Sequence, residues 1–394
     1  MDYANKGLLV EGWRGINQSY ALINQNQLLG LAQLDGLKLF CRDLPFAFNH
    51  WRANDSEAGF RPEECTVLNG LQEPDPDHDL ITGIYRICSP FRTGVDTVFS
   101  EHRTTTFMIT EVGLAPDSFA PGQDRSPFFT RNENSIVTST EWSRDRIIEY
   151  GFAEERVHIS PLGVDADIFK PIWPDARARG RAALGVESDE TLFLNIGPPL
   201  WNKGIDLLLQ AFATLRLRGL KVRLLIKDQQ KVYGVTLDAI MQTLGRSIPS
   251  LMLDVVRSGI ITVPMNLSPQ QLATLFGLAD CYVSPYRAEG FNLPVLEAIA
   301  CGIPTIVTQG GATDDFCNDA TSLRIAGTFH RKTSDAGLIG AYIEPEPETL
   351  IDAMSVMAAG WRPERQHFDS ARQAVMHRFN WQNAAQETAR LSVL

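Results

Sequence analysis

Short apolar runs alternate with longer amphipathic stretches through most of this chain, and that alternation limits the fold class before any motif is read. Runs with no polar alternation suit strands covered on both faces. Such strands belong to parallel sheets whose crossovers are helices. In the first half the runs predict strands at Gly7–Val10, Leu37–Cys41, Thr66–Leu68, Leu80–Ile84, Thr106–Thr110, Ser135–Thr138 and Val157–Ile159. The second half adds Thr191–Ile196, Val222–Ile226, Ile260–Val263, Cys281–Ser284, Thr305–Thr308 and Tyr342–Ile343. Between them, Phe169-Lys-Pro-Ile-Trp-Pro-Asp175 carries two prolines and reads as a linker. A length of 394 residues also suits two domains better than one. The expectation is an α/β protein of two doubly wound, Rossmann-like domains facing a cleft, residues 1–172 and 173–377, with a helical stretch from Pro363 to Ser392 closing the chain. Ala53 to Glu64 and Pro116 to Pro127 read as long loops.

Composition narrows the partners. Lys and Arg number 36 against 47 Asp and Glu, a net charge of −11, which argues against nucleic acid or an anionic membrane covering the molecule. Six cysteines (Cys41, Cys65, Cys88, Cys281, Cys301, Cys317) are scattered without a C-x-x-C pair and read as reduced structural thiols. No run of 18 apolar residues and no signal-peptide layout is found, so a cytoplasmic protein without a transmembrane segment is expected, with peripheral membrane contact left open. Two Asp-x-Asp triplets, Asp75-Pro76-Asp77 and Asp165-Ala166-Asp167, do not follow a buried strand, and the seven His show no ligand spacing. No metal is expected in catalysis.

Ligands of doubly wound sheets bind outside the carboxyl ends of the strands, and one strand end is unusually informative. The strand Cys281–Ser284 runs into a loop with Glu289 and Gly290, and a helix opens with Pro294 in its first turn. Proline fits there because the first helical N–H has no intrahelical partner to lose. The amides of Phe291, Asn292 and Leu293 then point out of the helix end and form an anion site. Glu289 stands before those amides and Glu297 lies about one turn into the helix. This layout suits a ligand with phosphate in the middle and hydroxyls at both ends, as in a nucleotide sugar.

The segment E-G-F-N-L-P-V-L-E between strand and helix resembles the signature of the family 4 retaining glycosyltransferases, which have the GT-B fold. Further matches run through Ser135 to Ser143, Ser160 to Pro171 and Leu194 to Phe212. The resemblance covers the last two thirds of the chain well and the first third weakly. It implies an acceptor-binding first domain, a nucleotide-sugar-binding second domain, and a last helix, about 378–394, crossing back to the first. It also implies that Glu297 accepts hydrogen bonds from the ribose hydroxyls, a task for an acceptor-only carboxylate, and that Glu289 faces the donor sugar. Lys203 would reach the diphosphate. The family's Arg beside that Lys is replaced here by Pro198, and Lys227, ending the neighbouring strand, is the candidate substitute.

The resemblance also implies that the loop of Gly12 and Gly15, after the first strand, lies over the donor diphosphate and the acceptor, with Arg14 as a further contact. Glu111 stands at a strand end where relatives often carry a His, and is expected to orient the acceptor hydroxyl or take its proton. Gly310 and Gly311 line the same cleft, and the base is expected near Val263, Pro264 and Met265. The resulting expectation is transfer of a sugar from a nucleoside diphosphate sugar, UDP-sugar ahead of others, to a sugar, glycan or lipid-linked acceptor, with retention and no cofactor. A nucleotide-sugar epimerase, a glycan phosphorylase and a non-catalytic nucleotide-sugar-binding subunit are the rivals.

Overall fold

The computed structural model describes residues 2–16, 18–46, 51–53, 59–87, 102–114, 134–227, 241–242, 250–265, 267–334 and 337–394. The chain divides into two compact units. The first comprises Met1–Gly163, Arg331–Gly340 and Arg378–Leu394; the second comprises Val164–His330 and Ala341–His377.

Six parallel strands form the first unit's sheet: β1 (Lys6–Gly12), β2 (Leu37–Asp43), β3 (Gly83–Ile87), β4 (Thr104–Phe107), β5 (Asn134–Thr138) and β6 (Val157–Ile159), in the order β2-β1-β3-β4-β5-β6. Leu8, Leu9 and Val10 of β1 are fully buried, the outcome for an apolar run with neighbours on both sides. The C-terminal helix Trp381–Val393 belongs to this unit. Thr105 Oγ1 donates to Leu391 O at 3.4 Å and Ser160 Oγ to Ala384 O at 3.3 Å, tying that helix to β4 and to the segment after β6.

The second unit repeats the plan with β7 (Thr191–Ile196), β8 (Val222–Lys227), β9 (Ile260–Val263), β10 (Cys281–Ser284), β11 (Thr305–Thr308) and β12 (Ser322–Ile325). Their order is β12-β11-β10-β7-β8-β9, all parallel. The chain reverses its direction of winding between β7 and β10. In an open α/β sheet that switch point is where a crevice opens at the strand ends. Phe193, Leu224, Val283 and Ile306 of the sheet pack with Leu208, Phe212 and Met354 of the covering helices, and each such side chain contributes about 1.5–3 kcal/mol by leaving water. A separate pair, β13 (Gly327–Ser334) and β14 (Gly337–Pro345), follows the sheet.

The two-sheet, doubly wound architecture matches the expectation, with local corrections. Thr66–Leu68 is not a strand but part of the helix Pro62–Gly70, which buries only Leu68; Pro62 opens it and Glu63 and Glu64 suit its first turn. Strands expected at Leu80–Ile84 and Thr106–Thr110 sit at Gly83–Ile87 and Thr104–Phe107, and Tyr342–Ile343 belongs to β14. The closing helical stretch comprises two helices, Arg365–Arg378 and Trp381–Val393. Cys88 and the loop Pro116 to Pro127 lie outside the described residues. Of the other cysteines, Cys41, Cys281, Cys301 and Cys317 are buried and Cys65 is half-buried.

Candidate functional site at the switch point of the second sheet

Two loops meet at the switch point. After β7 the chain passes through the short 3-10 turn Trp201–Lys203 to Gly204, which starts the helix Ile205–Leu217 in a left-handed conformation (φ 67°). A Cβ on Gly204 would lie 1.9 Å from the carbonyl oxygen of Pro285, so only glycine lets the two loops touch backbone to backbone. They are then stitched together. Arg287 N–H donates to Asn202 O at 2.7 Å, Ala288 N–H to the same oxygen at 3.3 Å, and Asn202 Nδ2 donates to Ala288 O at 3.1 Å.

That close approach puts Lys203 beside Glu289. Lys203 Nζ donates to Glu289 Oε2 at 2.7 Å, with Glu289 only 6% exposed. Gly290 and Phe291 are buried too, and the Phe291 ring stacks on Phe316 at 5.1 Å. The ring therefore serves the core, leaving only backbone for a ligand at this position. Asn292 adopts a left-handed φ of 74° and turns its amide to Ser284 Oγ (2.9 Å), not to the helix it caps. The side chain of the cap residue thus leaves the first turn of the helix Leu293–Ala300 unbonded, although Asn292 O accepts from Val295 N–H at 3.0 Å, and the positive end of the helix faces the loop. Tyr286 fastens the loop to β11, its hydroxyl bonding Thr308 O at 3.1 Å and Thr313 Oγ1 at 2.8 Å. Gly311 packs against that ring, since a Cβ there would meet Tyr286 Oη at 2.6 Å.

Glu297 differs from its neighbour. Among the described residues its carboxyl has no hydrogen-bond or ion-pair partner, and burial pushes it up to about 8, although part of the side chain reaches solvent. A half-buried acid with nothing to bond is costly to keep and marks a place for donors from outside. Lys227, 5% exposed, ends β8 opposite Ile196, while Pro264 is exposed after the edge strand β9, two strands from β7. The structure therefore brings Lys203, Glu289, Gly290, Phe291, Asn292, Leu293 and Glu297 together around one helix start, with Lys227 on the strand beside β7 and Pro264 farther along the sheet.

In the first unit, Gly12 ends β1 where a Cβ would meet the Asn24 amide at 2.7 Å, so it serves the packing of strand on helix. Gly15 adopts φ 73° and its N–H donates to Gln25 Oε1 at 3.1 Å. Arg14 is held by Asp43 through two bonds of 2.7 Å. Glu111 is half-buried, four residues beyond β4, and its carbonyl accepts from Trp142 Nε1 at 2.6 Å. Sequence reasoning missed a charge triad at these strand ends: buried Glu11 receives Arg86 Nε at 2.8 Å and Arg42 Nη1 at 3.0 Å from the strands on either side. It also missed Arg287; the one visible signal was a charge in the otherwise apolar approach to Glu289. Among the described residues no group of three or more His, Cys, Asp or Glu is placed to hold a metal ion, and no helix is long and apolar enough to cross a membrane.

Comparison with known proteins bears on the same strand ends. Residues 177–344 match the family model described as glycosyl transferases group 1. The match takes in the whole second sheet together with Lys203, Lys227, Glu289 and Glu297. Among curated relatives, a D-inositol 3-phosphate glycosyltransferase of Segniliparus rotundus is 27% identical over 57% of this chain and 48% of its own. An MMP alpha-(1->4)-mannosyltransferase of Mycolicibacterium hassiacum is 26% identical over 64% of this chain and 52% of its own. The chain thus spans about half the length of these glycosyltransferases. Among solved structures, a glycosyltransferase from Rickettsia africae superimposes with a TM-score of 0.68 at 13% identity, covering 98% of this chain and 99% of that one. HepE of Anabaena, solved with UDP and glucose, gives 0.67 at 14% identity, covering 98% of each chain. These likenesses establish the fold, GT-B, over nearly the whole chain.

Proposed function

We propose that this protein transfers a sugar from a nucleoside diphosphate sugar to an acceptor hydroxyl, with retention of anomeric configuration and without a metal. One observation carries the reading: a part-buried Lys203–Glu289 pair and a Glu297 carboxyl with no partner among the described residues flank a helix start at the switch point of a parallel sheet. Departure of a nucleoside diphosphate builds negative charge on the leaving oxygen. Lys203, Lys227 and the amides before the helix Leu293–Ala300 supply fixed positive charge there, and comparable contacts are worth about 3–4 kcal/mol of barrier. Glu297 takes the ribose hydroxyls and Glu289 the hydroxyls of the donor sugar. Glu111 belongs to the acceptor side, the loop of Gly12 and Gly15 lies over the donor diphosphate and the acceptor, and a cytoplasmic setting goes with the reading. UDP-sugars rank first as donors, in keeping with the UDP and glucose held by the HepE structure.

The test is a melting and calorimetry panel of UDP, GDP, ADP and their sugars, because a ligand of the folded state raises apparent stability by mass action. Binding of a nucleoside diphosphate, with transfer or slow donor hydrolysis abolished in Glu289→Ala, is the expected result. Pro198, standing where the family has its Arg, favours one rival, a non-catalytic nucleotide-sugar binder. Tight nucleotide binding without turnover of any donor by the wild-type protein identifies that rival.

A further inference from the structure

Arg287 lies two residues before Glu289 and is almost entirely buried, yet it faces the loops and not Glu297. All five of its guanidinium N–H donors are used. Nη1 and Nη2 grip Asp206 at 2.8 Å each, Nε and Nη2 grip Glu344 at 2.7 and 2.9 Å, and the remaining Nη1 proton goes to Trp201 O at 2.8 Å. The same guanidinium stands 5.2 Å from the centre of the Trp201 ring. Its backbone is engaged as well, donating to Asn202 O at 2.7 Å and accepting from Ile343 N–H at 2.8 Å. Burial opposes the charge and is outweighed by the bonds to Asp206 and Glu344, so the group is held above its ordinary value.

A fully satisfied buried ion cluster is weak evidence of stability, because apolar side chains of similar volume serve as well or better. What such a cluster supplies is fixed geometry. Here every bond joins one of four segments: the turn bearing Lys203, the first turn of the helix Ile205–Leu217, the loop bearing Glu289, and β14. We infer that Arg287 is a positioning residue for the transfer, holding the turn Trp201–Lys203 against the loop of Glu289 so that Lys203 Nζ stays in place for the leaving diphosphate. The inference rests on the function proposed above. Arg287 touches neither ligand nor reacting atoms; it acts through Lys203. Lysine cannot replace it, since an ammonium offers three donors from one point and cannot bridge two carboxylates and a carbonyl.

The test is a double-mutant cycle of Arg287→Lys with Lys203→Ala, measuring melting temperature, UDP affinity, and kcat and KM for UDP-sugar turnover. In folded R287K protein kcat is expected to fall about ten- to a hundred-fold with KM changed less than about threefold, the effect of an ångström-scale misplacement. In the K203A background the same substitution is expected to cost less than about twofold. An equal loss in both backgrounds, or an unchanged kcat in folded R287K, overturns the positioning role. Should R287K not fold, Glu344→Gln, which loosens one arm of the cluster, is put through the same cycle with the same criteria. A wild-type protein that turns over no nucleotide sugar overturns the transferase reading and this role with it. An active wild type with additive losses overturns this role alone.

Discussion

Replacing Glu297 by Gln is expected to stabilise the protein in a strictly pH-dependent way. The glutamine amide matches the protonated acid in size and stays neutral at every pH. In the folded state burial pushes the carboxyl up to about 8 from its ordinary 4.5. A folded value above the unfolded one means that the acid's contribution is fully present below about 4.5 and is lost as pH rises through about 8. At 1.36 kcal/mol for each tenfold change, full ionisation of the folded carboxyl costs on the order of 4–5 kcal/mol. Solvent reaching the side chain reduces this to about 2–4 kcal/mol. Melting curves of wild type and E297Q should coincide near pH 4 and separate steadily to pH 9, where the variant melts roughly 5–15 °C higher at about 2–4 °C per kcal/mol. In the proposed function the same carboxylate, once ionised, is the acceptor for ribose hydroxyls. UDP affinity of the wild type should therefore rise with pH through about 8, with proton release visible in calorimetry as a dependence on buffer ionisation heat. E297Q should show a weaker, flat profile. A melting difference that is constant from pH 4 to pH 9 would refute the account, because it would mean that the carboxyl does not titrate differently in the folded chain.

Two further outcomes follow from the loop geometry. Lys203→Ala removes the ammonium that stands 2.7 Å from Glu289, and should weaken UDP binding in calorimetry and lower kcat by about a hundred- to a thousand-fold; unchanged affinity removes Lys203 from the site. Gly204→Ala places a methyl against Pro285 O in a left-handed backbone, and should destabilise by about 2–4 kcal/mol in urea titration while costing activity through separation of the two loops; a variant as stable as wild type refutes the close approach.

Much of this was legible in the residues. Cys281–Ser284 and Thr305–Thr308 are read correctly because central parallel strands are buried on both faces and so consist of uninterrupted apolar runs. Thr66–Leu68 misled because three β-prone residues say nothing about the nine-residue helix around them, whose cap signal at Arg61–Pro62 decides the matter. Glu289, Glu297 and Lys203 could be named because strand-end loops and helix starts are local features. Arg287 could not, since its partners Asp206 and Glu344 stand 81 and 57 positions away along the chain.

The sequence alone determined the two α/β sheets, the helix that begins beside Pro294, and which side chains carry charge near it. Those properties depend on neighbours within a turn or a strand. Only the folded molecule decided that Lys203 meets Glu289, that Glu297 has no partner among the described residues, and that Gly12 serves packing. Each of these turns on which distant segments are pressed together, and on how far water is shut out between them.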